Sequence, residues 1–194
     1  MAEPGKGRLG RSDWLEVGLG LLAEQGEQSL TIEQLCAAAG RTRGSFYHHF
    51  EDQEQFVESL LHYWKQSHAD PIVASNTALN DPEAMRDGLA RMATCLDNPI
   101  EAALRRWSAS NANVRRMIEA VDAERIFLLA DIMRGHSERD ETETQELALV
   151  EYSAMIGFHQ LFPDATAEMA EQIARRVRRL IPTDRESETM RAAG

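Results

Sequence analysis

The chain has 194 residues, of which 43% are hydrophobic. This length allows one domain or two small ones and can bury a core without disulfides. The formal net charge of −11 argues against a protein that coats nucleic acid non-specifically, because such proteins are basic overall. No stretch has the apolar run of a signal peptide or a membrane span, so we expect a cytoplasmic protein without a membrane partner. Cys36 and Cys95 either form a disulfide or are buried free thiols, and a reducing cytosol favours the thiols.

The negative charge is distributed unevenly along the chain. Residues 1–50 carry five Lys or Arg and six Asp or Glu, whereas the remaining residues carry 16 and 26. An acidic body repels phosphate. Any contact with DNA therefore has to be concentrated on a small local patch.

The first predicted helix follows a loose, Gly-rich N-terminal arm. Ser12 is a good N-cap, the helix is expected to run to about Gln25, and Gly26 is the glycine expected after its C-terminus. Gly18 lies in the apolar stripe of this helix. It is either simply tolerated or marks the place where another helix crosses closely. The stripe consists of Trp14, Leu15, Gly18, Leu19 and Leu22.

Two short helices are predicted to meet at a glycine corner. The first begins after an N-cap at Thr31 and ends at Gly40, and the second is capped by Thr42 and covers roughly residues 43–49. Two short helices joined by such a turn form a helix-turn-helix. The second helix offers a guanidinium, a glycine, a hydroxyl, a phenol and two imidazoles, which are groups that contact phosphates and base edges. We expect Phe46 to point inward and to anchor this helix.

The rest of the chain is predicted to be helical with short breaks. A long helix starts near Asp52 and ends before Asp70-Pro71 or is kinked by that proline. Further helices start after Asp81-Pro82 and Asn98-Pro99, because proline is favoured at the first helical position. The remaining predicted helices cover about residues 113–134, 141–161 and 164–181. The sequence therefore predicts an all-α fold of about nine helices.

The stretch from Leu30 to Phe50 resembles the signature of the TetR family of transcriptional regulators. The matching features are the Thr31 cap, the Ala39-Gly40 turn, Arg43 and the ending Phe46-Tyr47-x-His49-Phe50. The resemblance implies an N-terminal three-helix helix-turn-helix domain in residues 1–51. It further implies a C-terminal helical domain in residues 52–194 that binds a ligand and dimerises.

The resemblance also implies which residues contact DNA. Residues at the positions of Arg43, Gly44, Tyr47 and His48 touch bases, whereas those matching Thr31, Tyr47 and His49 hold phosphates. The predicted DNA-binding set is Thr31, Arg41, Thr42, Arg43, Gly44, Ser45, Tyr47, His48 and His49.

The chain departs from the family pattern at two positions. Arg41 stands where the family usually has an apolar residue, and it is either a phosphate contact or a solvated surface charge. Gln53 stands where the family usually has a lysine that grips phosphate. The basic residues Lys6, Arg8 and Arg11 of the arm are expected to compensate for the missing lysine.

An effector site and a dimer interface are implied for the C-terminal helices. Adaptable methionines and flat aromatic rings suit an apolar ligand, although each of these residues could equally be plain core. The amphipathic last two helices, doubled in a homodimer, would form a four-helix bundle. The predicted effector residues are Trp64, Met85, Met92, Trp107, Met117, Phe127, Tyr152, Met155 and His159.

These features favour a DNA-binding regulator, a repressor that a small-molecule effector releases from a palindromic operator. The alternative is a constitutive or protein-partnered DNA-binding protein without a small-molecule inducer. An enzyme is disfavoured, because no His-Glu-x-x-His, Cys-x-x-Cys or Gly-x-Ser-x-Gly pattern occurs. The adjacent His48 and His49 would point about 100° apart on a helix and would not chelate one metal ion alone. We therefore expect no cofactor and no metal.

Overall fold

The computed structural model describes residues 9–70, 99–134 and 140–180. All regular secondary structure in these ranges is helical, which confirms the predicted fold class. The helix predicted after Asp81-Pro82 lies outside the described residues. The α-helices are α1 (Arg11–Gln25), α2 (Ile32–Ala39), α3 (Arg43–Tyr47), α4 (Gln53–Trp64), α5 (Pro99–Ser108), α6 (Ala112–Arg134), α7 (Glu141–Leu161) and α8 (Ala167–Leu180).

Helix α1 begins at Arg11, and the prediction of an N-cap at Ser12 was wrong. Gly10 is the N-cap, and its backbone N–H donates to Oδ2 of Asp13 at 2.7 Å. The Asp13 carboxylate thus accepts from the backbone N–H of Gly10 at the start of the helix. If Ser12 were the cap, that N–H would lie outside the helix. The predicted end is confirmed: Gly26 follows Gln25 with a φ of 79°, a conformation that favours glycine.

The caps predicted for α2 and α3 are confirmed. Oγ1 of Thr31 accepts from the backbone N–H of Gln34 at 3.2 Å, and Oγ1 of Thr42 accepts from that of Ser45 at 3.4 Å. Gly40 ends α2 in the left-handed conformation, with a φ of 60°. Helix α3 ends at Tyr47, earlier than predicted, because the chain tightens into a turn in which His49 N–H donates to the Phe46 carbonyl at 2.9 Å.

The later helices agree with their predicted bounds except at the start of α8. Pro99 is the first residue of α5, and α7 covers the predicted residues. Helix α4 continues beyond Trp64 as a turn of π-helix over Lys65–Ala69, so the helical chain extends to the predicted end beside Asp70. Helix α8 begins after Thr166, later than predicted, because Oγ1 of that residue accepts from the Met169 N–H at 3.3 Å and caps the helix.

The contacts divide the chain into two compact units. Among the described residues, the first unit contains residues 9–68 and Pro99–Met117, and the second contains Ala69, Asp70 and those from Ile118 onward. The first unit extends beyond residue 51 because α4 and α5 both pack against α1. The functional division into 1–51 and 52–194 stays a prediction.

A close crossing of α1 and α4 organises the first unit. A Cβ atom at Gly18 would lie 2.6 Å from Cζ of Phe56 and 3.1 Å from Cδ1 of Leu60. Both of those side chains are fully buried. Of the two interpretations of Gly18, the close helix crossing is therefore the correct one.

The second unit has its own core and an apolar outer surface. Its core is formed by side chains of α6, α7 and α8, among them Leu128, Tyr152 and Ala174. Within the described ranges, no helix combines the length and the apolar character needed to cross a membrane. Large apolar side chains of α7 and α8, with the residue that follows α7, remain exposed: Leu149, Val150, Leu161, Phe162, Met169 and Leu180.

We predict that Gly18→Ala destabilises the protein and that Gly20→Ala does not. The added methyl group at Gly18 would overlap Phe56, which is held in the core, so the free energy of unfolding should fall by about 1–3 kcal/mol. At Gly20 the added methyl group meets nothing within 4 Å, and the change should stabilise α1 by up to about 1 kcal/mol.

Chemical denaturation followed by circular dichroism measures both free energies. The Gly20 variant is the matched control, because it makes the same change in the same helix. Equal effects of the two substitutions would contradict the close crossing.

Candidate nucleic-acid interface

A cluster of aromatic rings fixes α3 to the first unit. The ring of Phe46 is fully buried, and its centroid lies 5.5 Å from that of Trp14, 5.2 Å from that of Phe50 and 5.6 Å from that of Phe56. Edge-to-face and tilted rings at these separations stabilise a core beyond the area that they bury. Phe46 thus anchors α3 as predicted and orients the remainder of the helix outward.

The predicted DNA-binding residues lie immediately before α2, in the turn before α3, on α3 and directly after it, and none of them is fully buried. Tyr47, which follows the buried Phe46, has 54% of its surface exposed. Its phenol ring packs edge-on against Phe46, with 5.7 Å between the centroids. The exposed members of the set are Thr31, Thr42, Arg43, Gly44, Tyr47 and His48, and the half-buried ones are Arg41, Ser45 and His49.

Arg43 is available to a ligand despite an ion pair. Its guanidinium lies 3.9 Å from the carboxylate of Glu33, but both side chains are more than two-thirds exposed. Such surface pairs contribute little free energy, so Arg43 can exchange Glu33 for a phosphate or a base edge.

The thiol of Cys36 is free. Burial raises the pKa of this thiol, while the positive charge of Arg43 acts in the opposite direction. Cys95 lies outside the described residues.

Arg11 is the first residue of α1 and not part of a loose arm, so its predicted place in the chain was wrong. Its guanidinium donates to the His49 carbonyl at 2.8 Å and to Oγ of Ser59 at 2.6 Å. It also lies 4.7 Å from the centroid of the Phe50 ring. These contacts tie α1 to the end of the helix-turn-helix and to α4. Lys6 and Arg8 lie outside the described residues.

Gln53 has a structural role that the sequence did not indicate. Its Nε2 donates to the carbonyl of Leu30 at 2.9 Å, immediately before the Thr31 cap. The first residue of α4 therefore fixes the entry to α2. This bond explains how a neutral amide can occupy the position where the resemblance implies a lysine.

The predicted effector residues are found in both units. Met85 and Met92 lie outside the described residues. The second unit holds Tyr152 and Met155 in its core, whereas Phe127 is 60% exposed and lies on its surface. The first unit contains Trp64, Trp107 and Met117, and the second contains Phe127, Tyr152, Met155 and His159.

A buried polar group in the second unit was missed by the sequence reasoning. Arg125 is 1% exposed, and its Nη1 donates to the Tyr152 hydroxyl at 3.4 Å. That hydroxyl in turn donates to Oδ1 of Asp122 at 2.6 Å. The apolar periodicity of α6 gave no signal for this, because arginines usually lie on the solvent side of a helix.

His48 and His49 lie close together without forming a metal site. Their ring centroids are 5.0 Å apart. In the described part of the chain, no group of three or more His, Cys, Asp or Glu side chains is placed to hold a metal ion.

The comparison with protein families identifies the helix-turn-helix. Residues 15–60 match the family model described as bacterial regulatory proteins of the tetR family. This segment runs from α1 through α3 into α4. Over these residues the chain is therefore similar to the tetR family of regulatory proteins. The exposed residues described above lie within the matched segment.

A curated relative matches about a third of the chain. The HTH-type transcriptional repressor KstR2 of Rhodococcus jostii is 36% identical over 61 residues. The match covers 31% of this chain and 30% of the repressor. The chain thus matches less than a third of the length of this repressor.

Solved structures share the fold over most of the chain. A transcriptional regulator of the TerR/AcrR family from Aquifex aeolicus has a TM-score of 0.70 and 15% identity, covering 89% of this chain and 99% of that one. The TetR-family regulator PfmR from Thermus thermophilus has a TM-score of 0.65 and 22% identity, covering 87% and 96%. At these identities the likeness shows the fold.

We predict that Phe46→Ala and Tyr47→Ala affect stability very differently. Loss of the buried Phe46 ring should lower the free energy of unfolding by about 3–5 kcal/mol, because it leaves a cavity among the aromatic rings. Loss of the exposed Tyr47 ring removes one edge contact and should cost about 1 kcal/mol or less. Urea denaturation of both variants measures the difference. A Tyr47 variant as unstable as the Phe46 variant would place Tyr47 in the core and remove it from the interface.

Proposed function

We propose that this chain is a homodimeric transcriptional repressor that binds a palindromic operator and releases it on binding a small-molecule effector. The single observation that carries the proposal is the division of α3, in which Phe46 is fully buried and the adjacent Tyr47 is exposed beside Arg43. The family match over residues 15–60 and the repressor KstR2 support it.

The exposed chemistry of α3 suits the major groove of DNA. An arginine donates two parallel hydrogen bonds to guanine, and hydroxyl groups bond to bases or phosphates. Gly44, which has no side chain, lets the DNA backbone or a thymine methyl approach closely. Residues 51–194 carry 16 Lys or Arg and 26 Asp or Glu, so the remainder of the chain repels phosphate and favours contact confined to this helix.

The apolar outer surface of α7 and α8 supports a homodimer. Val150, Leu161 and Leu180 are among the exposed apolar side chains of these helices, and burial against a second copy would remove them from water. The same two helices from each copy would form a four-helix bundle. A two-fold dimer places two recognition helices on half-sites about one DNA turn apart.

His159 supports an effector site in the second unit. Both of its ring nitrogens are buried and lack a hydrogen-bond partner, while its ring packs edge-on against Phe158. Few buried polar atoms in native proteins lack a partner, and bound ligands or water supply the missing hydrogen bonds. We therefore assign His159 to the polar contact with the effector.

DNA binding can be tested on the sequence immediately upstream of the gene. We expect a duplex of this DNA to be shifted by the protein, with two protected half-sites and an affinity that falls as salt rises. Arg43→Ala and Tyr47→Ala should each abolish specific binding, because both remove contacts with bases. Gel-shift and footprinting experiments measure affinity and half-site spacing.

Arg116→Ala is the matched control for the arginine, since Arg116 is exposed on α6 and bonds locally to Asn113. It should leave specific binding unchanged. The proposed recognition helix is wrong if both α3 variants bind the upstream DNA as well as the control does.

Effector binding can be tested by thermal shift against apolar and cationic compounds. We expect His159→Phe to raise the midpoint of unfolding in the absence of ligand, because it removes two unpartnered buried nitrogens, and to weaken the shift caused by an active compound. The exposed His62 provides the control variant His62→Phe, which should leave the ligand response unchanged. A broad library without any active compound would favour a constitutive DNA-binding protein.

A further inference from the structure

Arg11 bonds to two parts of the protein outside its own helix. Its Nη1 donates to the His49 carbonyl at 2.8 Å, and its Nη2 donates to Oγ of Ser59 on α4 at 2.6 Å. The guanidinium carbon also lies 4.7 Å from the centroid of the Phe50 ring, a distance at which a cation is attracted to the face of the ring. The first residue of α1 therefore links the end of the helix-turn-helix to the middle of α4.

The hydrogen bonds around Ser59 fix the direction of this link. A serine hydroxyl has one proton, and that of Ser59 is donated to the Gln55 carbonyl at 2.7 Å. The hydroxyl oxygen is then free to accept from Arg11. The side chain of Gln55 in turn accepts from the Glu51 N–H at 2.8 Å. The chain of bonds therefore holds the short segment between α3 and α4 at two points, His49 and Glu51.

Helix α4 bonds to the helix-turn-helix at its other end as well. The side chain of Gln53 donates to the Leu30 carbonyl at 2.9 Å, immediately before α2 begins. Gln53 thus fixes the entry to the helix-turn-helix, and Ser59 fixes its exit through Arg11. The orientation of α3 relative to α4 consequently depends on polar bonds as well as on the buried Phe46 ring.

The two arginines at this surface are bonded differently. The guanidinium of Arg43 lies 3.9 Å from one exposed carboxylate, which is a weak surface pair. Arg11 donates through both terminal nitrogens at 2.8 Å or less, and bonds from such a planar, charged fork are stronger and more specific in geometry. A phosphate that took these nitrogens would break both bonds. The geometry therefore favours a role for Arg11 within the protein.

We propose that Arg11 is a positioning residue for DNA binding, which holds the end of α3 against α4 in the orientation that fits the groove and does not itself contact phosphate. The inference rests on the proposed function, because it requires that α3 contacts DNA. A domain that adopts the fitting orientation for only about a tenth of the time binds about tenfold more weakly, since affinity scales with the population of the competent conformation.

Two substitutions break the link without removing a positive charge. Ser59→Ala removes the acceptor on α4, and Arg11→Lys keeps the charge but loses the planar fork. We expect each to raise the dissociation constant for the upstream duplex at least about tenfold. Binding to an unrelated duplex depends on charge, so its dissociation constant should change less than about threefold. Fluorescence anisotropy of the two labelled duplexes measures both affinities.

Two further serine variants serve as controls. Ser59→Thr keeps the hydroxyl and should bind the upstream duplex like the wild type, which tests rescue by a conservative change. Ser110→Ala makes the matched change elsewhere in the first unit, where the hydroxyl donates locally to the Trp107 carbonyl at 3.2 Å. It should leave specific binding unchanged.

The salt dependence of binding separates positioning from a phosphate contact. Each lost phosphate contact lowers the slope of log affinity against log salt by about 0.9, so loss of one contact from each half of a dimer lowers it by about 1.8. For Arg11→Gln we expect a change of less than about 0.5. The double variant Arg11→Lys with Ser59→Ala should bind about as weakly as either single variant, because both changes break the same link.

The proposal is overturned if Ser59→Ala and Arg11→Lys bind the upstream duplex as well as the wild type, or if the slope for Arg11→Gln falls by about 1.8. Urea denaturation followed by circular dichroism gives the folded fraction of each variant. Variants that lose stability but keep the wild-type specific affinity per folded molecule also overturn it. Should Ser59→Ala fail to fold, Arg11→Lys decides. Absence of specific DNA binding by the wild type would instead overturn the proposed function.

Discussion

The burial of the Phe46 ring is the constraint on which the rest of the interface depends. Three aromatic rings from α1, the loop after α3 and α4 close around it, so α3 can present only its opposite side to solvent. Since α3 has only five residues, it makes few helical hydrogen bonds of its own and needs this packing for stability. The close crossing at Gly18 brings α4 near enough for Phe56 to take part. The short segment of residues 43–50 thus contributes side chains both to the core and to the candidate interface.

Under the proposed function, a chain with a net charge of −11 has to bind DNA through a small number of positively charged residues. Arg43 is exposed beside Glu33, whereas Arg11 is used to join α1, His49 and α4. Gln53 bonds to the backbone and contributes no charge.

Local features of the fold were predictable because local chemistry decides them. The Thr31 and Thr42 caps, the glycine at the corner and the bounds of α7 follow from short sequence signals. The sequence could not show contacts between distant residues, such as that of Arg11 with the His49 carbonyl or that of Gln53 with Leu30. Nor could it show that Arg125 is buried, because the polar partners of that side chain come from the tertiary fold. Because the sequence does not show which side chains meet in the fold, the predicted effector residues could be chosen only by residue type. One of them, Phe127, lies on the surface.

The central claim is that the outward side of α3 contacts DNA while Phe46 holds its other side in the core. Chemical-shift mapping of the isotope-labelled protein with the upstream duplex tests it most directly. We predict that the largest amide shifts fall between Thr31 and His49, and that the ring signals of Phe46 and Phe56 change little. Shifts concentrated in α7 and α8, with residues of α3 unaffected, would contradict the account.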